Sequence, residues 1–263
     1  SGKTMGTFYN ITVVTVEANE LKGLKEKIDK RLDEINQSMS TYLENSEISR
    51  FNALKAGENF YVSKDFKQVI SAAKTIYRLS GGAYDPTVNP LLKLWGFRSE
   101  KADERVPEEK EIKKILSHVG FDKIRVSEEG WIQKKVPNVQ LDLASIAKGF
   151  GVDKVSELLT ENNFRNFLVE IGGEIYAAGR RADGKPWRIG INTPKKDAPF
   201  KMVYKAISLS NRAVATSGDY RNYLMKEGRA VSHIIDPETG YPVRNGVVSA
   251  SVIAPTCTLA DGL

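Results

Sequence analysis

From Phe167 onward the chain is written almost entirely in short alternating apolar segments, and this narrows its fold more than any other feature. Phe167 to Ile171, Glu174 to Ala178, Trp187 to Ile191, Val203 to Leu209, Ala213 to Ser217, Ala230 to Ile234 and Val247 to Ala254 all read as strands. Gly172-Gly173, Asp183-Gly184 and Glu227-Gly228 separate them, dipeptides suited to tight turns. The first half reads differently. Phe8 to Val16 alternates as a strand, and Leu21, Leu24, Ile28, Leu32, Ile35 and Met39 then recur at three- and four-residue steps, the spacing of an amphipathic helix. Phe66, Val69, Ile70, Ala73, Ile76 and Tyr77 mark a second helix, entered from Ser63 with Asp65 in its first turn and stopped by Gly81-Gly82. Between Ser99 and Glu111 the sequence becomes charged and proline-bearing, a peripheral excursion, and Ile112, Ile115 and Leu116 then predict a short exposed helix before Gly120. Short strands are expected around Lys123 to Val126 and Val139 to Leu143, with a turn at Glu128-Glu129-Gly130. Helices early and antiparallel-looking strands late predict an α+β arrangement, expected as two lobes with a ligand cleft between them.

Composition sets outer limits. The 263 residues, 41% hydrophobic and 27% charged, can bury one large core or two smaller ones and remain soluble. A net charge of +6 suits an acidic ligand or an anionic surface. The 39 basic and 33 acidic residues are interleaved, however, so nothing marks a nucleic-acid-binding arm. One cysteine, Cys257, excludes an intramolecular disulfide and a cysteine-rich metal cage. No apolar run approaches the roughly 18 residues of a membrane span. The sequence opens at Ser1-Gly-Lys without an initiator Met or the charged and apolar regions of a signal peptide, as a processed or trimmed chain would, so any export signal lies outside the sequence read.

Asp142-Leu-Ala-Ser-Ile-Ala-Lys148-Gly gathers a carboxylate, a hydroxyl and an ammonium where a strand is expected to turn into a helix. Val139, Leu141 and Leu143 alternate, while Ile146, Phe150, Val155, Leu158 and Leu159 follow helical spacing, which puts Ser145 near a helix N-terminus. Free backbone N–H groups and the macrodipole there favour a phosphate. A serine cap with a solvated lysine fits the same spacing, and both readings stand.

Other segments share that ambiguity. Gly81-Gly-Ala-Tyr-Asp-Pro-Thr-Val-Asn-Pro90 is a rigid loop presenting Tyr84 and Asp85, either a turn or a binding tip. Ser40-Thr41-Tyr42 places an aromatic ring after the first helix, to stack on a ligand or to cover the core. His233 lies at an expected strand end near Asp236, where it serves as a structural hydrogen-bonding residue or a general base. His118 reads as solvated and Cys257 as a small buried side chain. Asp261 is a hard oxygen donor of the kind Mg²⁺ takes, but one carboxylate does not hold that ion, so Asp142 or Ser145 is expected beside it together with a ligand. Clustered His and Cys are missing, which argues against zinc, and no nucleophile-elbow, Walker or Rossmann fingerprint occurs.

Taken in order, Thr4-Met-Gly-Thr7, Met39-Ser-Thr-Tyr42, Ser46 to Asn52, Gly82-Ala-Tyr-Asp85, Leu94-Trp-Gly-Phe97, Asp142 to Gly149, Val169-Glu-Ile-Gly-Gly-Glu174, Ala215 to Asn222, Ser232-His-Ile-Ile-Asp236 and Ala254-Pro-Thr256 resemble the ApbE family of FAD:protein FMN transferases over nearly the whole chain. The family was formerly labelled thiamine-biosynthesis lipoprotein. The resemblance implies a T-fold-like unit of two lobes, with mostly antiparallel strands and flanking helices, spanning residues 1–263. It further implies Mg²⁺-dependent transfer of FMN from FAD to a Thr or Ser hydroxyl of a partner flavoprotein, such as a membrane redox-complex subunit, with release of AMP. By position, Met5, Tyr42, Ala83, Tyr84, Asp85, Asp142, Lys148 and Ile235 match FAD contacts, Ser145 and Asp261 match metal ligands, and His233 matches the proposed catalytic base. An imidazole, with a reference pKa of about 6.5, suits that task near neutral pH. Members are typically exported and tethered by a lipidated cysteine on the periplasmic side of the bacterial inner membrane, which implies an anchor upstream of Ser1. The family motif continues from Asp261 to a metal-serving Thr four residues on, and this sequence stops at Leu263, so a C-terminal part of the family domain is expected beyond it and weaker metal binding without it. Two other activities fit the same residues: splitting of FAD into FMN and AMP by water, and non-catalytic periplasmic FAD binding.

Overall fold

Leucine and isoleucine at helical spacing do form the first long helix, Leu24–Met39, and the serine signal before Phe66 does open the second, Lys64–Leu79, where the Ser63 hydroxyl accepts from Phe66 N. These elements belong to a computed structural model that describes residues 1–16, 18–97, 105–195, 198–199, 202–218 and 223–263. The early part of the expected 99–111 excursion and the last residues of the 215–222 motif lie outside the described residues. The chain divides into two compact units, each discontinuous in sequence.

The first unit gathers Ser1–Ser40, Ala144–Ser217 and Ala250–Leu263. Its six-stranded sheet runs, edge to edge, Gly2–Thr4, Thr7–Val13, Phe167–Ile171, Glu174–Ala178, Arg212–Gly218 and Ser249–Ala254, with antiparallel pairing from the first strand through the fifth. Side-chain alternation decides what each face covers. Phe167, Val169, Ile171, Tyr176 and Ala178 face one way. They pack with Leu24, Ile28 and Leu32 of the first helix and with Val152, Val155 and Leu159 of the Ala144–Glu161 helix. Each such side chain removed from water contributes about 1.5–3 kcal/mol. Leu168, Ile175, Ala177 and Val214 face the other way, where the ribbon Trp187–Asn192 paired with Val203–Leu209 covers them with Trp187, Ile189 and Leu209. Burial on both faces explains why the middle strands, Phe167–Ile171 and Glu174–Ala178, each carry four apolar residues in five.

The second unit gathers Thr41–Leu143 and Gly218–Ser249. Besides Lys64–Leu79 it holds the helices Glu47–Ala53, Asn89–Leu94 and Glu109–Leu116, a three-stranded sheet ordered Asn59–Tyr61, Trp131–Lys134, Ile124–Val126, and a ribbon of Tyr223–Lys226 with Arg229–Ser232. The 109–116 helix is less exposed than expected, since Ile112 is buried against Leu91, Trp95, Val119 and Ile235.

One expected strand does not form. Residues 139–143 pair with no strand among the described residues, although Val139, Leu141 and Leu143 are fully buried. The Asn52 side chain replaces the ladder, donating Nδ2 to Leu141 O and accepting from Leu141 N, both at 2.8 Å, while Asp142 N donates to Pro86 O. A side-chain amide presents donor and acceptor together, as a neighbouring peptide group does. The strand expected over 230–234 ends at Ser232, whose hydroxyl accepts from Ile234 N and turns the chain away. No helix among the described residues is long and apolar enough to cross a membrane.

Candidate functional site

The Ala144–Glu161 helix starts where the sequence placed it, with Ser145 exposed in its first turn. One turn further on the same face is Gly149. Its N–H donates to Asp261 Oδ2 at 2.8 Å, and a Cβ at this position would sit 2.4 Å from Cys257 O and 2.7 Å from Asp261 Cβ. Only a glycine lets the Cys257–Gly262 helix approach so closely. Asp153 fixes that helix from the other side, accepting from Cys257 N, Thr258 N and Thr258 Oγ1.

Lys148 immediately precedes the first of these attachments. Its Nζ is 2.6 Å from Glu174 Oε1, and its stem runs over Gly172, whose positive φ of 64° forms the turn before the Glu174–Ala178 strand. Glu174 is almost wholly buried, and its Oε2 has no hydrogen-bond partner among the described residues. Burial, followed by the charge of Glu174, pushes the Asp261 carboxyl up to about 7, against the opposing pull of Lys148 and the Gly149 N–H. Burial also raises the Glu174 carboxyl, with Lys148 opposing. For Lys148 burial acts downward, but Glu174 and Asp261 outweigh it and its ammonium is held above the ordinary lysine range. Two carboxylates thus share one ammonium in a poorly hydrated place, an arrangement that a further cation would relieve. Met5, at the positive-φ turn between the first two strands, packs near Gly151 on the same helix.

Hard oxygen donors are the correct chemistry for magnesium, and the unpartnered Glu174 oxygen beside Asp261 fits a divalent ion. Among the described residues no three His, Cys, Asp or Glu side chains converge as a metal cage. The fit therefore calls for water, hydroxyl and ligand oxygens to complete the shell, as the sequence implied for Asp261 and Ser145.

The remaining expected site residues lie in the second unit. Asp85 is buried and anchors its own loop: Oδ1 accepts from Thr87 N and Thr87 Oγ1, and Oδ2 accepts from Phe121 N. Burial raises its carboxyl, with the Thr87 bonds opposing. The tip is left with Ala83 and Tyr84, both partly accessible, where the Tyr84 N–H donates to Ser80 Oγ. Asp142 is buried next to this loop through the bond from its N–H to Pro86 O. Directly after the loop, the Asn89–Leu94 helix and the residue that follows it send Leu91 and Trp95 against Ile235. His233 stands two residues before Ile235, with its ring 6.4 Å from that of Phe97. Tyr42 is 78% exposed.

Thus Ser145, Lys148, Asp261 and Met5 belong to the first unit, and the 83–85 tip, Asp142, His233, Ile235 and Tyr42 belong to the second. Glu174, Gly149 and Asp153 were not among the expected site residues. Glu174 follows a glycine pair at a strand start, a weak signal, and nothing in the spacing of Gly149 or Asp153 announced a partner more than 100 residues away.

Residues 5–263 match the ApbE family. The chain belongs to the ApbE family. ApbE relatives include the FAD:protein FMN transferase of Vibrio cholerae, 43% identical over 100% of this chain and 78% of its own length, and that of Haemophilus influenzae, 42% identical with the same coverage. Among solved ApbE structures, the flavin transferase from Vibrio cholerae superposes with a TM-score of 0.88 at 41% identity, covering 99% of this chain and 82% of that one. The apo flavinyl transferase of Pseudomonas stutzeri gives 0.87 at 36% identity, with 99% and 80% covered. The α+β architecture with mostly antiparallel sheets is therefore that of ApbE.

Proposed function

We propose that this chain transfers FMN from FAD to a threonine or serine hydroxyl of an acceptor flavoprotein, in the presence of magnesium, and releases AMP. The observation that carries the reading is the buried Lys148–Glu174–Asp261 cluster beside the N-terminal turns of the Ala144–Glu161 helix, in a chain whose relatives are named for this transfer. In the step, the acceptor oxygen forms a bond to the FMN phosphorus and the bond from that phosphorus to the bridging anhydride oxygen breaks. AMP departs with the bridging oxygen, and the hydroxyl proton passes to the imidazole of His233. The ammonium of Lys148 faces pyrophosphate charge, and the free N–H groups of the helix start favour the same anion. Asp261 and Ser145 would hold magnesium, which supplies charge neutralisation on the phosphoryl oxygens when bound. Met5 and Tyr42 are ring neighbours for the flavin, while the 83–85 tip, Asp142 and Ile235 bind the rest of the dinucleotide.

The deciding experiment incubates the chain with FAD, magnesium and a candidate acceptor and weighs the acceptor by mass spectrometry. An FMN-sized mass gain is expected, and AMP without any gain on a competent acceptor would identify a hydrolase instead. His233→Ala is expected to bind FAD with unchanged affinity and to lose transfer by about 100-fold or more, the range for removal of a general base. Unchanged turnover in that variant would remove the base from the scheme.

A further inference from the structure

The second unit contains a cavity of about 520 Å³ lined by none of the residues assigned to the transfer reaction. Trp95, Val231 and Tyr241 give it apolar and aromatic walls, and Lys226, Arg229 and Arg244 give it three cations. Glu227 is the one carboxylate in its lining among the described residues. Its volume lies in the range that takes a small ligand or a few side chains.

Three features make the charge informative. Lys226 and Arg229 are directly paired across the ribbon, so two positive side chains share one face at adjacent positions, and Leu224 with Val231 is the next pair on that face. Arg229 and Arg244 are also exposed, and neither takes part in a salt bridge among the described residues. The third feature is position. Val231 is two residues before His233, and the cavity's Tyr241 and Pro242 are tied back to that segment by Asp236 N to Tyr241 O, by Val243 N to Ile234 O and by the Ile235–Pro242 bridge. Trp95 packs edge-on against Tyr241 while Phe97, two residues on, touches His233.

We propose that this cavity is the docking subsite for the acceptor and receives an acidic side chain from the segment that carries the modified hydroxyl. The inference rests on the transferase reading of His233. A hydroxyl brought to that imidazole belongs to a chain whose neighbouring residues must run along the 231–244 hairpin, and the exposed arginines there select a carboxylate.

The test uses the full chain and two fluorescein-labelled peptides of about a dozen residues with a central threonine, one with flanking aspartates and one with asparagines in their place. The acidic peptide is expected to bind at least about tenfold tighter at low salt and to lose that advantage as salt rises. Arg229→Gln with Arg244→Gln should abolish the preference while FAD affinity, read by flavin fluorescence, stays within about twofold, the scale expected for a site without those arginines in it. Arg229→Glu should invert the preference toward a peptide with flanking lysines. Equal binding of both peptides to the unaltered chain would overturn the proposal, as would a double variant that loses FAD affinity in step with peptide affinity, because the cavity would then serve the dinucleotide. Selective peptide binding by a chain that transfers no FMN to any acceptor would support the subsite and sink the transferase reading, so the two fail separately.

Discussion

At the scale of single residues, the consequences of burial are sharpest at Lys148 and Gly149. Removing the ammonium by Lys148→Met leaves the enclosed Glu174 carboxyl without the charge that opposes its burial, and breaking a buried pair from one side costs about 3–5 kcal/mol, or about 2–3 here because Lys148 is 31% exposed. Adding Glu174→Gln should return most of that loss, a coupling that urea denaturation of the two single variants and the double variant would measure. Gly149→Ala should cost about 1–3 kcal/mol by forcing the Cys257–Gly262 helix outward, and an unchanged denaturation midpoint would contradict the close approach. Much of this site was legible in the Asp142–Gly149 stretch, since a helix N-terminus, a hydroxyl and an ammonium are local features. What stayed hidden was the company Lys148 keeps. Glu174 and Asp261 reach it only through sheet and helix packing, and no periodicity within one segment records a contact with another.

At the scale of elements, the long periodic segments were readable and the short ones were not. Sixteen residues of amphipathic spacing announce Leu24–Met39 or Lys64–Leu79, whereas Glu47–Ala53, Asn59–Tyr61, Asn89–Leu94 and Tyr223–Lys226 are too brief to show a period. The missing strand at 139–143 has the opposite cause. Its alternation is real, but Asn52 supplies the hydrogen bonds that a partner strand would have given. Asn52→Ala should therefore cost about 2–4 kcal/mol, since it leaves both Leu141 backbone groups buried and unsatisfied, and a change of less than half that in the unfolding free energy would show that water takes the place of the amide. The Glu109–Leu116 helix carries its own pH signature. Arg105 and then the Glu108 N–H hold the Glu111 carboxyl down to about 2 from an ordinary 4.5. A folded value below the unfolded one adds stability above about pH 4.5 that is lost as pH falls through about 2. Thermal melts between those limits should show this slope, and Glu111→Gln should flatten it.

At the scale of the whole molecule, the sequence pointed to an α+β fold because helices crowd its first half and strands its second, and that segregation is visible without any contact. It did not reveal that both compact units are assembled from separated pieces of chain, since continuity in sequence carries no information about which pieces close on each other. Each unit is accordingly rich in long-range pairings, such as Thr7–Val13 beside Phe167–Ile171, and refolding should be slow, in the millisecond-to-second range of non-local topologies rather than the microseconds of helical bundles. Stopped-flow fluorescence of the three tryptophans would check this. The clasp between Asp153 and the backbone of Cys257 also sets a schedule during synthesis. The carboxylate leaves the ribosome 104 residues ahead of the amide it will hold, a wait of about 5–20 s at ordinary elongation rates. Throughout that interval the Ala144–Glu161 helix has an unfinished flank, because the Cys257–Gly262 helix that closes over Gly149 has yet to be made.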